Sequence, residues 1–218
     1  MKFLSQSPSR GISDIVKKYP TVSLSLTLEP DKIQDFFPLL QGGIMVKVQV
    51  GCSIKTILCK QFGLSPEYVE DRVKTILLDG KTVDDIDSAI IRDGSILALS
   101  AAMPGLAGAI LRRGGDLALL RSQTTYREEK EYTLRREGVV VLKLFNLLVN
   151  ELGPGFLKEG VLVKPEDLDA FLMSLPEEFW EGCKVAAVDD QEVGLDYLLG
   201  LEWLENHDLV MLRVEGDV

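Results

Sequence analysis

Two stretches of the sequence carry the same series of short elements, and this internal repeat limits the fold more than any other feature. Residues 74–83 (KTILLDGKTV) and 184–193 (KVAAVDDQEV) each contain an apolar strand, an acidic tight turn and a return to Val. An amphipathic helix precedes each stretch, and a second apolar strand follows it after a polar turn. Matched landmarks lie 110 to 113 residues apart. The repeat predicts a tandem duplication.

The first half of the chain contains clear strand and helix signals. Residues 21–28 and 45–50 alternate apolar and polar side chains with a period of two, which predicts half-buried strands. Ser53 is expected to cap a helix over residues 53–62. Asp79-Gly80 suits a type I′ hairpin turn. A further strand is predicted at residues 96–99.

The second half offers a parallel set of signals. Strands are predicted at residues 161–163, 184–188 and 209–214, and a helix is expected to start at Pro165. Residues 139–152 allow two interpretations. The first is a strand followed by a short helix that ends at Gly153-Pro154, and the second is one continuous helix.

We therefore predict an α+β protein made of two tandem units, each a mixed sheet packed on a helix. The predicted boundaries are an N-terminal extension over 1–20, a first unit over 21–115, a linker over 116–130 and a second unit over 131–218. The linker is placed where an apolar, glycine-rich stretch gives way to one dense in charge.

Charge is unevenly spread and limits the kind of partner. Residues 116–218 carry 10 Lys/Arg against 22 Asp/Glu, whereas residues 1–115 carry 14 against 12. Nucleic-acid binding needs clustered Lys and Arg, so we expect none. An acidic docking face for a basic partner is the alternative to a merely solubilising surface.

The residues that usually carry chemistry are scarce. Three cysteines form no Cys-x-x-Cys pair and His207 is the single histidine, so we expect no zinc site, no other metal and no cofactor. Unpaired cysteines suit a reducing, cytoplasmic setting. No catalytic residues can be assigned, and we expect a protein that is not an enzyme.

One uncharged stretch, residues 94–111, has to be weighed as a membrane span. Its 18 residues match the lower limit for crossing a bilayer. Ser, Pro and Gly residues dilute its hydrophobicity, and its first third fits a strand better. We expect no membrane span.

The order strand, strand, helix, strand, turn, strand resembles the β-grasp, or ubiquitin-like, superfamily. Within it, residues 141–153 (VLKLFNLLVNELG) and 91–108 (IRDGSILALSAAMPGLAG) resemble the sulfur-carrier branch. That branch comprises the small subunit of molybdopterin synthase and the thiamine sulfur carrier. The resemblance implies two β-grasp units in tandem, and a protein partner such as an adenylating enzyme or a synthase subunit.

Carrier chemistry in that family needs a free C-terminal glycine carboxylate, and this chain ends in Glu-Gly-Asp-Val instead. A diglycine does occur at Gly114 and Gly115, but 103 residues follow it. Carrier or modifier activity would require cleavage after Gly115. An enzyme with its site between the two units is a further alternative.

We favour a non-enzymatic protein that acts through protein–protein contacts. The stretch that contains Met103, Pro104, Gly105 and Leu106 is too apolar for a solvated linker and too rich in Gly and Pro for a regular core helix. Exposed apolar stretches of this kind mark partner surfaces. These four residues are the predicted contact site.

Overall fold

A computed structural model of the chain describes residues 21–121, 126, 134–200 and 202–217. The fold is α+β with strands in mixed pairing, as the sequence predicts. The strands are β1 (Thr21–Leu28), β2 (Ile44–Val50), β3 (Thr75–Leu78), β4 (Lys81–Thr82), β5 (Ile96–Ser100), β6 (Arg136–Phe145), β7 (Val161–Val163), β8 (Cys183–Val188), β9 (Gln191–Glu192) and β10 (Leu209–Gly216).

Helices connect most of these strands. They are α1 (a 3₁₀ segment Pro30–Phe36 that continues as Phe37–Gly42), α2 (Ile54–Thr56, continuing as a π turn Ile57–Gln61), α3 (Pro66–Arg72), α4 (Gly105–Leu111), α5 (Leu147–Glu159), α6 (Pro165–Ser174), α7 (Glu177–Glu181) and α8 (Leu195–Gly200). Short 3₁₀ segments lie at Asp116–Arg121 and Glu202–Leu204. No described helix has both the length and the apolar composition that crossing a bilayer requires.

The described residues form two compact units. The first unit comprises residues 45–151 and the second comprises residues 21–44 and 152–217, each within the described ranges. The chain enters the second unit, leaves it for the first, and returns within helix α5. Each unit is therefore described by itself.

In the first unit the strand order is β4-β3-β5-β6-β2. The central pair β5 and β6 is parallel, with Ile96 opposite Val141, while β3 pairs antiparallel with β5 and β4. Helix α2 buries Ile54 and Leu58 completely. Its cap is the predicted one, because the Ser53 side chain accepts a hydrogen bond from the backbone N–H of Thr56 at 3.3 Å.

In the second unit the order is β7-β10-β1-β8-β9. The central pair β1 and β10 is parallel, and β8 is antiparallel to both β1 and β9. The core contains Phe36 from α1, whose ring centroid lies 5.0 Å from that of Phe171 and 6.0 Å from that of Phe179. Such tilted aromatic pairs add to the energy of burying the rings.

The order of elements along the chain repeats, but the units do not coincide with the repeats. The stretch from β1 to β5 and the stretch from β6 to β10 each follow the same order, which is strand, helix, strand, helix, strand, hairpin, strand. Nevertheless β1 pairs with β8 and β10, and β6 pairs with β5. This differs from the sequential division into 21–115 and 131–218. Each unit takes its parallel central pair from both repeats, because an alternating strand specifies a buried face but not a pairing partner.

Residues 139–152 form a strand followed by a helix, which confirms the first of the two interpretations. The predicted helix end at Gly153-Pro154 is wrong, because α5 continues to Glu159 with Pro154 inside it. Gly153 is instead a packing position, where an added Cβ would lie 2.6 Å from a methyl carbon of Leu40. Glycine at this site serves close packing between helices rather than helix termination.

Candidate interaction site

The predicted contact stretch leaves the end of β5 and forms an exposed apolar corner that leads into helix α4. The exposed fraction of the Leu106 side chain is 68%, and that of Met103 is 36%. Pro104 and Gly105 are also exposed, and Gly105 has a positive φ of 76°. The structure thus brings the four predicted residues together on the surface of the first unit. We call Ala102 to Ala107 the apolar corner.

The apolar corner folds back closely on helix α4. A Cβ added at Gly108 would lie 2.0 Å from the carbonyl oxygen and 2.8 Å from the Cβ of Met103. Only a residue without a side chain permits this approach of two backbone segments. The close approach of Met103 to α4 therefore depends on the glycine at position 108.

The far end of α4 is tied to the body of the unit by Arg113. Its backbone N–H donates to the carbonyl oxygen of Lys74 at 2.8 Å. Its guanidinium Nη2 donates to a carboxylate oxygen of Glu70, also at 2.8 Å. The side chain of Arg113 is only 11% exposed, whereas that of Glu70 is 75% exposed, so this ion pair is only partly shielded from solvent. Helix α4 is thus held at its C-terminal end.

The diglycine that follows lies in a turn held by Asp84. Gly114 is exposed with a φ of 61°, and its N–H donates to Asp84 Oδ1 at 3.1 Å. The same oxygen accepts a hydrogen bond from Nη2 of Arg121 at 2.8 Å, and the Arg121 side chain is fully buried. The burial of Arg121 was not predictable from the sequence, because a single Arg in a charged stretch gives no signal of burial.

An open groove of about 320 Å³ lies beside α2 and α3 in the same unit. The residues that carry its chemistry are Lys55, Cys59, Glu70, Asp84, Asp87 and Arg113. Burial raises the pKa of the Cys59 thiol, which disfavours the reactive thiolate. The groove therefore lacks an activated nucleophile.

The charged groups of the groove are paired with one another. Nζ of Lys55 donates to a carboxylate oxygen of Asp87 at 3.1 Å, and Arg113 is engaged by Glu70. The hydrogen bond that Lys55 donates to Asp87 raises the pKa of Lys55, which keeps this amine protonated. Lys55 is therefore not poised for acid–base chemistry.

A second polar cluster joins α3 to the start of α5. The hydroxyl of Tyr68 donates to Oε2 of Glu151 at 2.6 Å, and Arg72 binds both carboxylate oxygens of Glu151. The hydrogen bond from Arg72 lowers the pKa of Glu151. Burial, followed by the bond to Glu151, raises the pKa of Tyr68. The two pKa shifts favour a charged Arg72–Glu151 ion pair beside a neutral Tyr68 phenol. The cluster therefore has a structural role.

Within the described ranges all three cysteines are free thiols, and no group of three or more His, Cys, Asp and Glu side chains could hold a metal ion. The apolar corner is thus an exposed apolar feature of the first unit, together with the side chains of Leu134 and Leu147. No protein-family model matches the sequence, and comparison with curated proteins and with solved structures finds no significant similarity.

Proposed function

We propose that this protein is a non-enzymatic interaction protein built from two β-grasp-like units, and that it binds a protein partner through the apolar corner. The observation that carries the proposal is the exposure of Met103 and Leu106 on a backbone that Gly108 fixes. A preordered apolar surface loses little conformational entropy when it binds, which favours association.

The β-grasp assignment is supported by the order of elements along the chain. In each repeat the first strand runs into a helix, and a second strand, a helix, a hairpin and a last strand follow. Both hairpins have two-residue turns with positive φ at each turn residue. The exchange of strands between the repeats is a departure from two sequential units.

The partner class rests on the resemblance to sulfur carriers. In that family a Pro-containing tail beyond the last strand enters a pocket of the partner. The apolar corner follows β5 directly and carries Pro104. An adenylating enzyme or a synthase subunit is accordingly the partner that we propose to test first.

The experiment is site-specific photocrosslinking in the native host. A photoreactive residue is placed at position 106 and, as a matched control, at position 173. Met173 is an equally prominent side chain of the second unit, with an exposed fraction of 66%. We expect a discrete crosslinked product from position 106 only. The partner, once identified and purified, should bind the Met103→Asp/Leu106→Asp variant at least tenfold more weakly.

Two results would contradict the proposal. Identical products from positions 106 and 173 would indicate nonspecific collision. Loss of cooperative unfolding in the double Asp variant, measured by circular dichroism, would show that the corner is structural.

The diglycine turn, in which Gly114 is exposed and Gly115 is half-buried, supports a second candidate, a carrier or modifier precursor that is cleaved after Gly115. Gly114 is accessible, as a processing site must be. The N–H of Gly114 donates to Asp84, and the buried Arg121 forms an ion pair with the same carboxylate, so that the turn is fixed through Asp84. Intact mass spectrometry of the native protein separates the two candidates, since only the precursor yields a chain that ends at Gly115.

A further inference from the structure

The outer edge strands of the two units, β4 and β9, match residue by residue. In both units a two-residue turn precedes a two-residue edge strand, with Thr82 opposite Leu77 in one and Glu192 opposite Ala187 in the other. The next residue along, Val83 or Val193, donates its N–H back into the sheet. Because antiparallel hydrogen bonding alternates along a strand, the backbone groups of Thr82 and Glu192 point away from the sheet.

In the first unit, the chain itself occupies this edge. The carbonyl oxygen of Thr82 accepts a hydrogen bond from the backbone N–H of Tyr126 at 2.8 Å. The Tyr126 hydroxyl is in turn 3.3 Å from Nη1 of Arg92. Thr82 is 1% exposed as a result. The outer edge of β4 therefore accepts an added segment of chain. Covering an edge strand in this way is a common protection against aggregation.

In the second unit, the equivalent edge is open. Gln191 and Glu192 are both exposed. Across the described ranges, no backbone N–H donates to the Glu192 carbonyl, which is the counterpart of the Thr82 carbonyl. An open edge strand offers a row of backbone donors and acceptors to another chain.

The charge around this edge selects the chemistry of the occupant. Residues 21–44 and 152–217 contain 5 Lys/Arg against 19 Asp/Glu, a net charge of −14. Asp189, Asp190 and Glu192 are exposed on the hairpin itself. The nearby cation Lys184 is engaged by Glu29, with Nζ 2.5 Å from the carboxylate oxygen. Opposite charges across paired strands are stabilising, and like charges are destabilising.

We propose that the free edge of β9 binds an extended, Lys- and Arg-rich segment of a partner protein as an added strand. The outward N–H and carbonyl of Glu192 supply the backbone pairing, and the acidic hairpin supplies the preference for basic side chains. This site lies in the second unit, and its occupation goes beyond binding at the apolar corner.

The test uses the full-length protein and two fluorescent ten-residue probes, alternating Lys-Val and alternating Glu-Val, at micromolar concentration. We expect only the Lys-Val probe to bind. Its affinity should fall as the salt concentration rises from about 50 to about 300 mM, because salt screens the attraction between opposite charges. The probe should slow hydrogen exchange of the Glu192 amide at least tenfold. Glu192→Pro should weaken binding at least tenfold, because proline removes the outward N–H yet is tolerated on edge strands.

Two further variants separate backbone pairing from charge. Glu192→Gln keeps the N–H and should weaken binding only a few-fold. Glu177→Gln removes an equal charge from an exposed site on α7 and should leave binding unchanged. Equal binding of both probes, full binding by Glu192→Pro, or a Glu192 amide already protected in the free protein would each overturn the proposal. The last result would mean that the chain covers this edge itself.

Discussion

Asp79 and Asp189 make the same contact at the tips of the two hairpins, although the strands that they contact, β5 and β1, lie at opposite ends of the first repeat. Each is the first turn residue, with φ values of 50° and 48°. The Asp79 carboxylate accepts the N–H of Ile96 at the start of β5, at 2.7 Å. The Asp189 carboxylate accepts the N–H of Ser23 in β1, at 2.9 Å. β1 thus occupies in the second unit the place that β5 occupies in the first.

The second turn residue distinguishes the two hairpins and leads to a prediction about stability. Gly80 holds this place in one, whereas Asp190 holds it in the other with a φ of 62°. A residue other than glycine is strained by about 1–2 kcal/mol when its φ is positive. Replacement with glycine removes this strain, but the greater backbone freedom of glycine in the unfolded chain offsets part of the gain. Asp190→Gly should therefore raise the free energy of unfolding by roughly 0.5–1 kcal/mol in urea titrations. Gly80→Asp should lower it, and a gain in both variants would contradict the explanation.

Gly108 provides a test of the geometry of the apolar corner. Gly108→Ala places a methyl group against the Met103 carbonyl, so the corner must move away from α4. We expect altered NMR chemical shifts for residues 102–108 and weaker partner binding, with the hairpin signals unchanged. Gly42→Ala is the control, because nothing lies within 4 Å of an added Cβ there. Unchanged shifts around Met103 would contradict the fixed geometry.

The Tyr68–Glu151 cluster should make stability depend on pH at both extremes. Arg72 lowers the pKa of Glu151 below its ordinary value of 4.5, so its contribution is complete above pH 4.5 and is lost as the pH falls through the lower, folded pKa. The pKa of Tyr68 is raised above its ordinary 10.0, so its contribution is complete below pH 10 and is lost at higher pH. Glu151→Gln should flatten the acid limb of stability measured by urea titration. The exposed Glu178→Gln should leave that limb unchanged.

The strand exchange predicts that the two repeats cannot fold alone. A fragment of residues 1–121 lacks β6 and β10, and a fragment of residues 134–218 lacks β1 and β5, so each lacks a central strand of both units. We expect neither fragment to unfold cooperatively in isolation. An equimolar mixture should regain a cooperative transition by circular dichroism. A sharp transition in either fragment alone would contradict this assignment of strands.

Local structure followed from the sequence much better than strand pairing did. The Ser53 cap and the Asp79-Gly80 turn were predictable because each depends on the chemistry of neighbouring residues. The pairing of β1 with β10 was not, since Ser and Leu alternating along a strand fit any sheet with one buried face. Exposure of Leu106 was predictable from composition. The role of Arg121 was not, because it depends on Asp84, which is distant in sequence.

The pairing of Thr21 with Leu209 also sets a time order for folding during synthesis. Thr21 in β1 is synthesised 188 residues before its partner Leu209 in β10. At about 5–20 residues per second, β1 waits on the order of 10–40 s with its alternating Leu side chains unburied. Long-range parallel pairing is also slow to form once both strands are present. A nascent chain of this protein therefore carries an exposed, aggregation-prone strand until β10 has been made, which makes it a natural client for chaperones that bind at the ribosome.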